Sequence, residues 1–170
     1  MIGNWEDFGR DEPTRYFEFA TSYLKASKDV CIRMNEIEEE NSWPNASVTL
    51  MLAAHSVELF IKGALILRGY KGAWGHTIDD LYDRYKITFP EECFHFNCPF
   101  VTEYVGFTSE EIVKKKKTKR PQASVVFRYP INKPSLEWDA VHGFETNDFL
   151  IILSALGNNY NRLKESLNGL

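Results

Sequence analysis

Hydrophobic residues recur at intervals of three and four positions along most of this chain, which is the spacing of amphipathic helices. The pattern predicts a first long helix that begins near Pro13 and closes at the acidic run 38–40. A second helix is predicted over residues 44–68, with Pro44 in its first turn. Because this second segment is apolar around most of its circumference, we expect the other helices to surround it at the centre of the fold.

Two further helices are predicted downstream of the second. Thr77 and Asp80 have the spacing of a variant capping box, so we expect a short third helix from Thr77 to Tyr85. Thr146 or Asn147 is expected to cap a last amphipathic helix, because apolar residues keep helical spacing from there to the end of the sequence.

Residues 87–144, between these two helices, lose the helical spacing and contain five of the seven prolines. We expect an irregular insertion there, in which 100–107 and 123–129 have the composition to pair as a β-hairpin around a helical turn at 108–113. The chain therefore predicts a mainly all-α fold. Its architecture would be an antiparallel up-and-down bundle of about four helices, with the insertion before the last helix.

The length and composition set limits on the class of protein. A chain of 170 residues with 44% hydrophobic side chains supports one well-buried core, so we expect a single domain over 1–170. The first residues lack the pattern of a secretory signal, and polar residues interrupt the longest apolar stretch, so no membrane span is expected. Cys31, Cys93 and Cys98 fit free thiols in a reducing compartment, which favours a cytoplasmic location.

The formal net charge of -4 conceals one compact basic segment, KKKKTKR, which holds six of the 20 Lys and Arg residues and no acidic residue. Such a segment can contact phosphates locally, and RNA is its natural partner, although runs of this kind also occur as solvated loop tips. The candidate phosphate-binding residues are Lys114, Lys115, Lys116, Lys117, Lys119, Arg120 and, beyond the segment, Arg128.

Three polar residues form a narrow line along the otherwise apolar second helix. His55, Glu58 and Lys62 lie at positions i, i+3 and i+7, so they share one face of the helix. Such a line at the seam of a bundle can bind a polar ligand, and it can equally serve to fix the register of the helices. Both interpretations stay open from the sequence.

Three stretches of the chain resemble the HEPN domain, a family of small helical proteins linked to nucleotides and RNA. They are HSVELFIKGALILRG in the second helix, GHTIDDLYDRY in the third, and VFRYP ahead of the last helix. The resemblance implies an up-and-down bundle that is usually a homodimer. It also implies a link to RNA, because many members of the family are metal-independent ribonucleases in toxin, phage-defence or RNA-processing systems.

The ribonuclease motif of that family, an Arg followed after four to six residues by a His, is missing from this sequence. Arg68 lies eight positions before His76, and Arg128 lies fourteen before His142. His76 with Arg68 is nevertheless the sharpest catalytic hypothesis, because a His can transfer a proton at neutral pH and an Arg can neutralise a phosphodiester. Alternatively, His76 only fixes the turn after Gly75.

Cys93, His95 and Cys98 form a C-x-H-x2-C group that could supply three zinc ligands. Without a second paired knuckle the pattern is weak, and the Phe residues within it fit ordinary packing with buried thiols. We therefore expect no metal and no cofactor. The sequence also lacks the P-loop, GxGxxG, HExxH and GxSxG motifs, so nothing in it indicates the enzyme classes that these common motifs mark.

These observations leave three functional hypotheses. The favoured one is a non-catalytic HEPN-like protein that forms a homodimer and binds RNA, a nucleotide or a partner protein encoded nearby, in a prokaryotic toxin–antitoxin or defence setting. The second is a metal-independent HEPN-type endoribonuclease with a rearranged Arg/His site, for instance Arg68 with His76 or Arg128 with His142 brought together across a dimer. The third is a purely structural interaction protein whose lysine segment is incidental.

Overall fold

The computed structural model describes residues 9–71, 75–102, 107–117, 127 and 143–168, and every structural statement below concerns this part of the chain. It contains five helices and no strand, so the all-α class predicted from the helical spacing is confirmed. The helices are α1 (Glu12–Glu36), α2 (Trp43–Leu67), α3 (Ile78–Thr88), α4 (Ser109–Lys117) and α5 (Thr146–Asn168). Short 3-10 turns follow α1 and α3, at Glu38–Glu40 and Glu92–Phe94.

Helix α2 lies at the centre of the bundle, as its composition predicts. No residue from Thr49 to Ile66 is exposed, so over about five turns the helix is fully buried on most sides and half-buried on the rest. Among the described helices, α2 alone is long and apolar enough to cross a membrane, with a mean hydropathy of 1.7, but 67% of that window is buried inside the protein. Core helices also meet this criterion, and the burial of α2 accounts for its apolar sequence.

Helices α1 and α2 pack against each other in antiparallel orientation. The Ser27 hydroxyl donates to the carbonyl of Thr49 (2.8 Å), and the Ser56 hydroxyl donates to the carbonyl of Ala20 (2.6 Å). Positions early in α1 therefore face positions late in α2. The small side chains at this interface let the two backbones approach closely enough for these side chain to backbone bonds.

Helix α5 also runs antiparallel to α1. The Cys31 thiol donates to the carbonyl of Thr146 (3.5 Å), and the Lys164 ammonium donates to the Thr21 hydroxyl (2.6 Å). Because α2 and α5 both run opposite to α1, they run in the same direction as each other. The antiparallel packing predicted for the bundle thus holds for the two helix pairs that involve α1.

Aromatic rings fill the core between α2, α3 and α5. Phe60 and Tyr160 stack with ring centroids 4.1 Å apart and planes at 3°, and Phe96 meets Phe60 edge-on at 6.2 Å. Tyr85 and Phe89 continue the cluster at the end of α3, with centroids 4.9 Å apart. This cluster fixes the position of α3, which is too short to be stable on its own.

Part of the predicted irregular insertion belongs to the core. The carbonyls of all four residues 93–96 accept hydrogen bonds from side chains. Arg162 on α5 donates to the carbonyls of residues 93 and 95, the latter at 2.8 Å. From α3, Tyr85 donates to the carbonyl of residue 94 at 2.9 Å, and Tyr82 donates to that of residue 96. These bonds hold the segment between α3 and α5, where both of its Phe side chains are buried.

The start of α3 differs from the prediction. Thr77 occupies the N-cap position, but its side chain makes no capping hydrogen bond, so the expected capping box is not formed. The first turn is tied elsewhere instead, because the carboxylate of Asp79 accepts hydrogen bonds from Thr102.

The start of α5 is also capped by a different residue from those predicted. The Glu145 carboxylate accepts from the backbone N–H of Asp148 at 2.9 Å and thus caps the first turn. Thr146, one of the two predicted caps, already lies within the helix. Its hydroxyl faces α1 and donates to the Asn35 side chain at 3.1 Å, so it is not available as a cap.

Helix α4 begins with a capping box that the sequence analysis did not predict. The Glu111 carboxylate accepts from the backbone N–H and the hydroxyl of Thr108, both at 2.8 Å, and the Thr108 oxygen accepts from the N–H of Glu111 at 3.4 Å. The helix extends to Lys117, beyond the single turn expected at 108–113. Most of the predicted hairpin lies outside the described residues, and residues 100–102 form a turn and a bend rather than a strand.

Candidate functional site

The polar line on α2 forms a buried ion pair. The Glu58 carboxylate and the Lys62 ammonium are 2.8 Å apart, and their side chains are only 4% and 6% exposed. Burial of two opposite charges is costly unless both groups are fully hydrogen-bonded, so the pair depends on the partners that the fold supplies. Those partners are two histidines, His76 and His55.

The connection between α2 and α3 brings His76 to this ion pair. The Nδ1 atom of His76 lies 2.8 Å from Glu58 Oε1 and 3.4 Å from Lys62 Nζ, although 18 and 14 positions separate these residues in the sequence. Glu58 precedes the end of α2 by nine residues, so the chain doubles back by roughly 14 Å before α3 begins. The His76 side chain is 59% exposed, so much of its ring faces solvent.

His55 completes the cluster from within α2. Its Nδ1 atom lies 3.7 Å from Glu58 Oε2, and its ring packs edge-on against Tyr23 of α1 with centroids 4.7 Å apart. Both oxygens of the Glu58 carboxylate are therefore engaged. The Glu58 cluster, as we call His55, Glu58, Lys62 and His76, joins the centre of α2 to the residue just before the N-cap of α3.

The electrostatics of the cluster keep Glu58 ionised. Burial by itself would raise the pKa of this carboxyl, but hydrogen bonds from His55, Lys62 and His76 and the charge of Lys62 outweigh that effect. The net result is a pKa of about 2, below the ordinary value of 4.5. Glu58 is thus a permanent negative charge near neutral pH, and one that depends on its three neighbours.

This arrangement allows acid/base chemistry at His76. A carboxylate only accepts hydrogen bonds, so the Nδ1 atom of His76 carries the proton that it shares with Glu58. In the neutral ring, Nε2 is then the basic nitrogen, and it has no hydrogen-bond partner among the described residues. A group in solvent could exchange a proton with Nε2 while Glu58 holds the ring in place through Nδ1.

A metal cation does not fit the Glu58 cluster, because the Lys62 ammonium already neutralises the carboxylate. In the part of the chain that the structure describes, no group of three or more His, Cys, Asp or Glu side chains is arranged to hold a metal ion. Of the C-x-H-x2-C residues, only Cys98 is buried, and burial raises its pKa to about 12. Phe94 and Phe96 are buried as expected, whereas Cys93 is exposed, so the expectation of a buried thiol is wrong at that position.

Arg68 does not join His76 within one chain. Its guanidinium lies over the ring of Phe89, 5.2 Å from the centroid. Phe89 directly follows α3, whereas His76 precedes it, and a helix of 11 residues is roughly 16 Å long. The two residues of the proposed Arg/His pair therefore lie at opposite ends of α3, and the positive charge beside the imidazole comes from Lys62 instead.

The chain that leads to α4 is bonded to α3 at the same end as His76. The Asp79 carboxylate accepts from the N–H of Thr102 at 2.7 Å and from its hydroxyl at 2.8 Å. Asp79 lies three residues after His76, and α4 begins seven residues after Thr102, so the start of α4 lies within roughly 25 Å of that anchor. The last residues of α4 are Lys114, Lys115, Lys116 and Lys117, whereas Lys119, Arg120 and Arg128 lie outside the described residues.

Sequence reasoning identified the members of the cluster but not their arrangement. The spacing of His55, Glu58 and Lys62 indicated a shared helix face, which the structure contains. Nothing local to His76 indicates where the chain returns after α2, because a glycine-rich connection allows many paths. The Asp79–Thr102 bond likewise had no signal in the sequence.

Comparison of this chain with models of protein families, with curated proteins and with solved structures finds no match.

Proposed function

We propose that this chain is a HEPN-like helical protein that binds RNA through its basic helix α4 and does not cleave it. We further propose that it acts as a homodimer in the cytoplasm, together with a partner protein encoded nearby, in a toxin–antitoxin or defence system. The observation that carries RNA binding is the run of lysines that ends α4, on a chain whose overall charge is -4.

The proposed family link rests on the resemblance in sequence. Two of the stretches that carry it meet in the fold, because His76 of the third-helix stretch contacts Glu58 and Lys62 of the second-helix stretch. Removal of one of these partners would leave a buried charge unpaired.

The charge distribution supports RNA as the ligand. Four consecutive lysines, Lys114–Lys117, are the last residues of α4, on a chain whose overall charge is -4. Phosphates repel the acidic remainder and are attracted to this one element, so binding should be local and sensitive to salt. The Thr108–Glu111 capping box stabilises the helix that presents these residues.

Metal-independent RNA cleavage is a second candidate function, which one observation favours. The 2.8 Å contact of Glu58 with His76 Nδ1 leaves Nε2 as a base that solvent can reach. Lys62, 3.4 Å from the ring, would supply the positive charge that the sequence analysis assigned to Arg68. In this alternative, Glu58 positions His76, and His76 exchanges the proton.

Incubation of the purified protein with single-stranded RNA in EDTA distinguishes these functions. Our proposal predicts binding without cleavage, lost when Lys114–Lys117 are all replaced by Ala. A control variant replaces an equal number of lysines elsewhere in the chain and should bind RNA like the wild type. The control positions are Lys25, Lys28, Lys71 and Lys86.

Cleavage in EDTA that disappears in His76→Ala would contradict the non-catalytic proposal and support the ribonuclease. Absence of both binding and cleavage would contradict both, and would leave a structural interaction protein. An equal loss of binding in the two lysine variants would show that net charge, rather than α4, attracts the RNA.

A further inference from the structure

A groove between α1 and α5 lies outside the Glu58 cluster. It has a volume of about 540 Å³ and is lined by Glu18, Phe19, Thr21 and Ser22 from α1 and by Lys164 from α5. The groove is open to solvent and combines one carboxylate, one aromatic ring, two hydroxyls and one amine. Lys164 is half-buried in its wall.

The Nζ atom of Lys164 bonds to a hydroxyl that can accept a hydrogen bond but cannot donate one back. The Nζ atom donates to Thr21 Oγ1 at 2.6 Å, and the Thr21 hydroxyl proton is already donated to the carbonyl of Phe17 at 2.8 Å. Thr21 can therefore accept from the amine but cannot donate to it. When the amine is neutral, its lone pair remains free of hydrogen bonds from Thr21.

Burial of Lys164, and the lack of an ion pair among the described residues, favour the neutral amine. Among the described residues, no carboxylate lies within ion-pair distance of Nζ, and Glu18, which lines the same groove, pairs with Arg10 at 3.5 Å. Burial lowers the pKa of Lys164, and the charge of Glu18 opposes this effect only in part. Lys62 is the opposite case, because it is buried against a carboxylate at 2.8 Å.

We infer that Lys164 is a site of covalent acylation by activated acyl donors, namely acyl thioesters or acyl phosphates, that enter the groove. The Nζ lone pair attacks the acyl carbonyl carbon, and a C–N amide bond forms as the bond to the leaving thiolate or phosphate breaks. The amine loses its proton to water, and no oxidant or reductant is required. The acyl group would lie along the groove beside Phe19, and the reaction removes one positive charge from α5.

Site-resolved mass spectrometry of the folded protein tests this assignment. The protein is treated in one arm with acetyl coenzyme A and in the other with acetyl phosphate, and acetylation rates are measured at Lys164, Lys62 and the exposed lysines Lys25 and Lys71. Lys164 should react several-fold faster than Lys25 and Lys71 with at least one donor, and Lys62 should react slowest. If Lys164 reacts faster than the exposed lysines with only one of the two donors, that donor class is the one the groove accepts.

The pH dependence separates nucleophilicity from simple access. The rate at Lys164 should reach half its maximum at a lower pH than the rate at Lys25, and Glu18→Gln should raise the rate at Lys164 because it removes the opposing charge. In protein unfolded by urea, Lys164 should be acetylated no faster than Lys25 and Lys71. The assignment would be overturned if Lys164 were acetylated no faster than Lys25 with either donor. It would also be overturned if the two lysines reached half their maximal rates at the same pH.

Discussion

Glu58 holds a charge where little water reaches it, and the stability of the fold depends on that charge. Because its pKa is about 2 in the folded protein and 4.5 ordinarily, its contribution to stability is complete above the ordinary value and declines as pH falls toward 2. The shift corresponds to roughly 3 kcal/mol at neutral pH.

The Glu58→Gln variant should therefore be less stable than the wild type at pH 7. Its free energy of unfolding, measured by urea denaturation, should be lower by roughly 3 kcal/mol. The difference should shrink as pH is lowered from 4.5 toward 2, because protonated Glu58 also leaves Lys62 without a charged partner. An equal difference at pH 7 and pH 3 would show that Glu58 does not titrate in the way its neighbours require.

Gly63 lies where α2 comes close to α1. A Cβ at this position would lie 2.9 Å from Tyr16 Cβ and 3.0 Å from a ring carbon of Phe17. The Tyr16 Cβ is attached to the backbone and cannot move away alone, so Gly63→Ala should destabilise the protein by about 1–3 kcal/mol despite the gain in helix propensity. Thermal or urea unfolding measures this directly.

Gly157 on α5 supplies the matched control, because its added Cβ would meet only Leu24 Cδ2, at 3.8 Å. Gly157→Ala should leave stability unchanged or raise it by up to about 1 kcal/mol. If both Ala variants were equally stable, the interface of α1 and α2 would be looser than these distances require.

Thr108 and Thr77 both stand at the start of a helix, but replacement by Ala should have different effects at the two positions. Thr108 forms a capping box at α4, whereas Thr77 occupies the N-cap of α3 without a capping bond. Thr108→Ala should cost about 1 kcal/mol of helix stability, which appears as faster amide hydrogen exchange at Glu111 and Ile112. Thr77→Ala should leave exchange in α3 nearly unchanged, and protection of α4 that survives Thr108→Ala would contradict the assignment of its cap.

The sequence predicted helices better than it predicted their ends. The second helix was expected at 44–68 and occupies Trp43–Leu67, because a segment buried on all sides has a clear apolar pattern. Capping depends on where a side chain turns after folding. The cap of α4 does have a sequence signal, the T-x-x-E spacing at Thr108. At α5 the cap is Glu145 and not the predicted Thr146, because the Thr146 hydroxyl bonds to α1.

For the whole molecule, the core was predictable and the candidate site was predictable only in part. Hydrophobic periodicity reports which residues are buried, and α2 at the centre follows from it. The contact of His76 with Glu58 depends on the path of the connection after α2, and the distance between Arg68 and His76 depends on the direction of α3. Neither path nor direction is encoded in local spacing.

The proposed homodimer is also a property of the whole molecule. Gel filtration with light scattering should give twice the mass of the 19.7 kDa chain. Variants of the basic helix should keep that mass, because they change the RNA-binding element and not the core. A strict monomer over the whole concentration range would contradict this part of the proposed function.

RNA binding by α4 is tested most directly by the salt dependence of affinity. In fluorescence anisotropy titrations with labelled single-stranded RNA, the logarithm of the association constant should fall linearly with the logarithm of salt concentration. Replacement of Lys114–Lys117 by Ala should make that slope shallower by roughly 0.7 for each lysine that neutralises a phosphate. The same slope in wild type and variant, or no binding at low salt, would contradict the proposal.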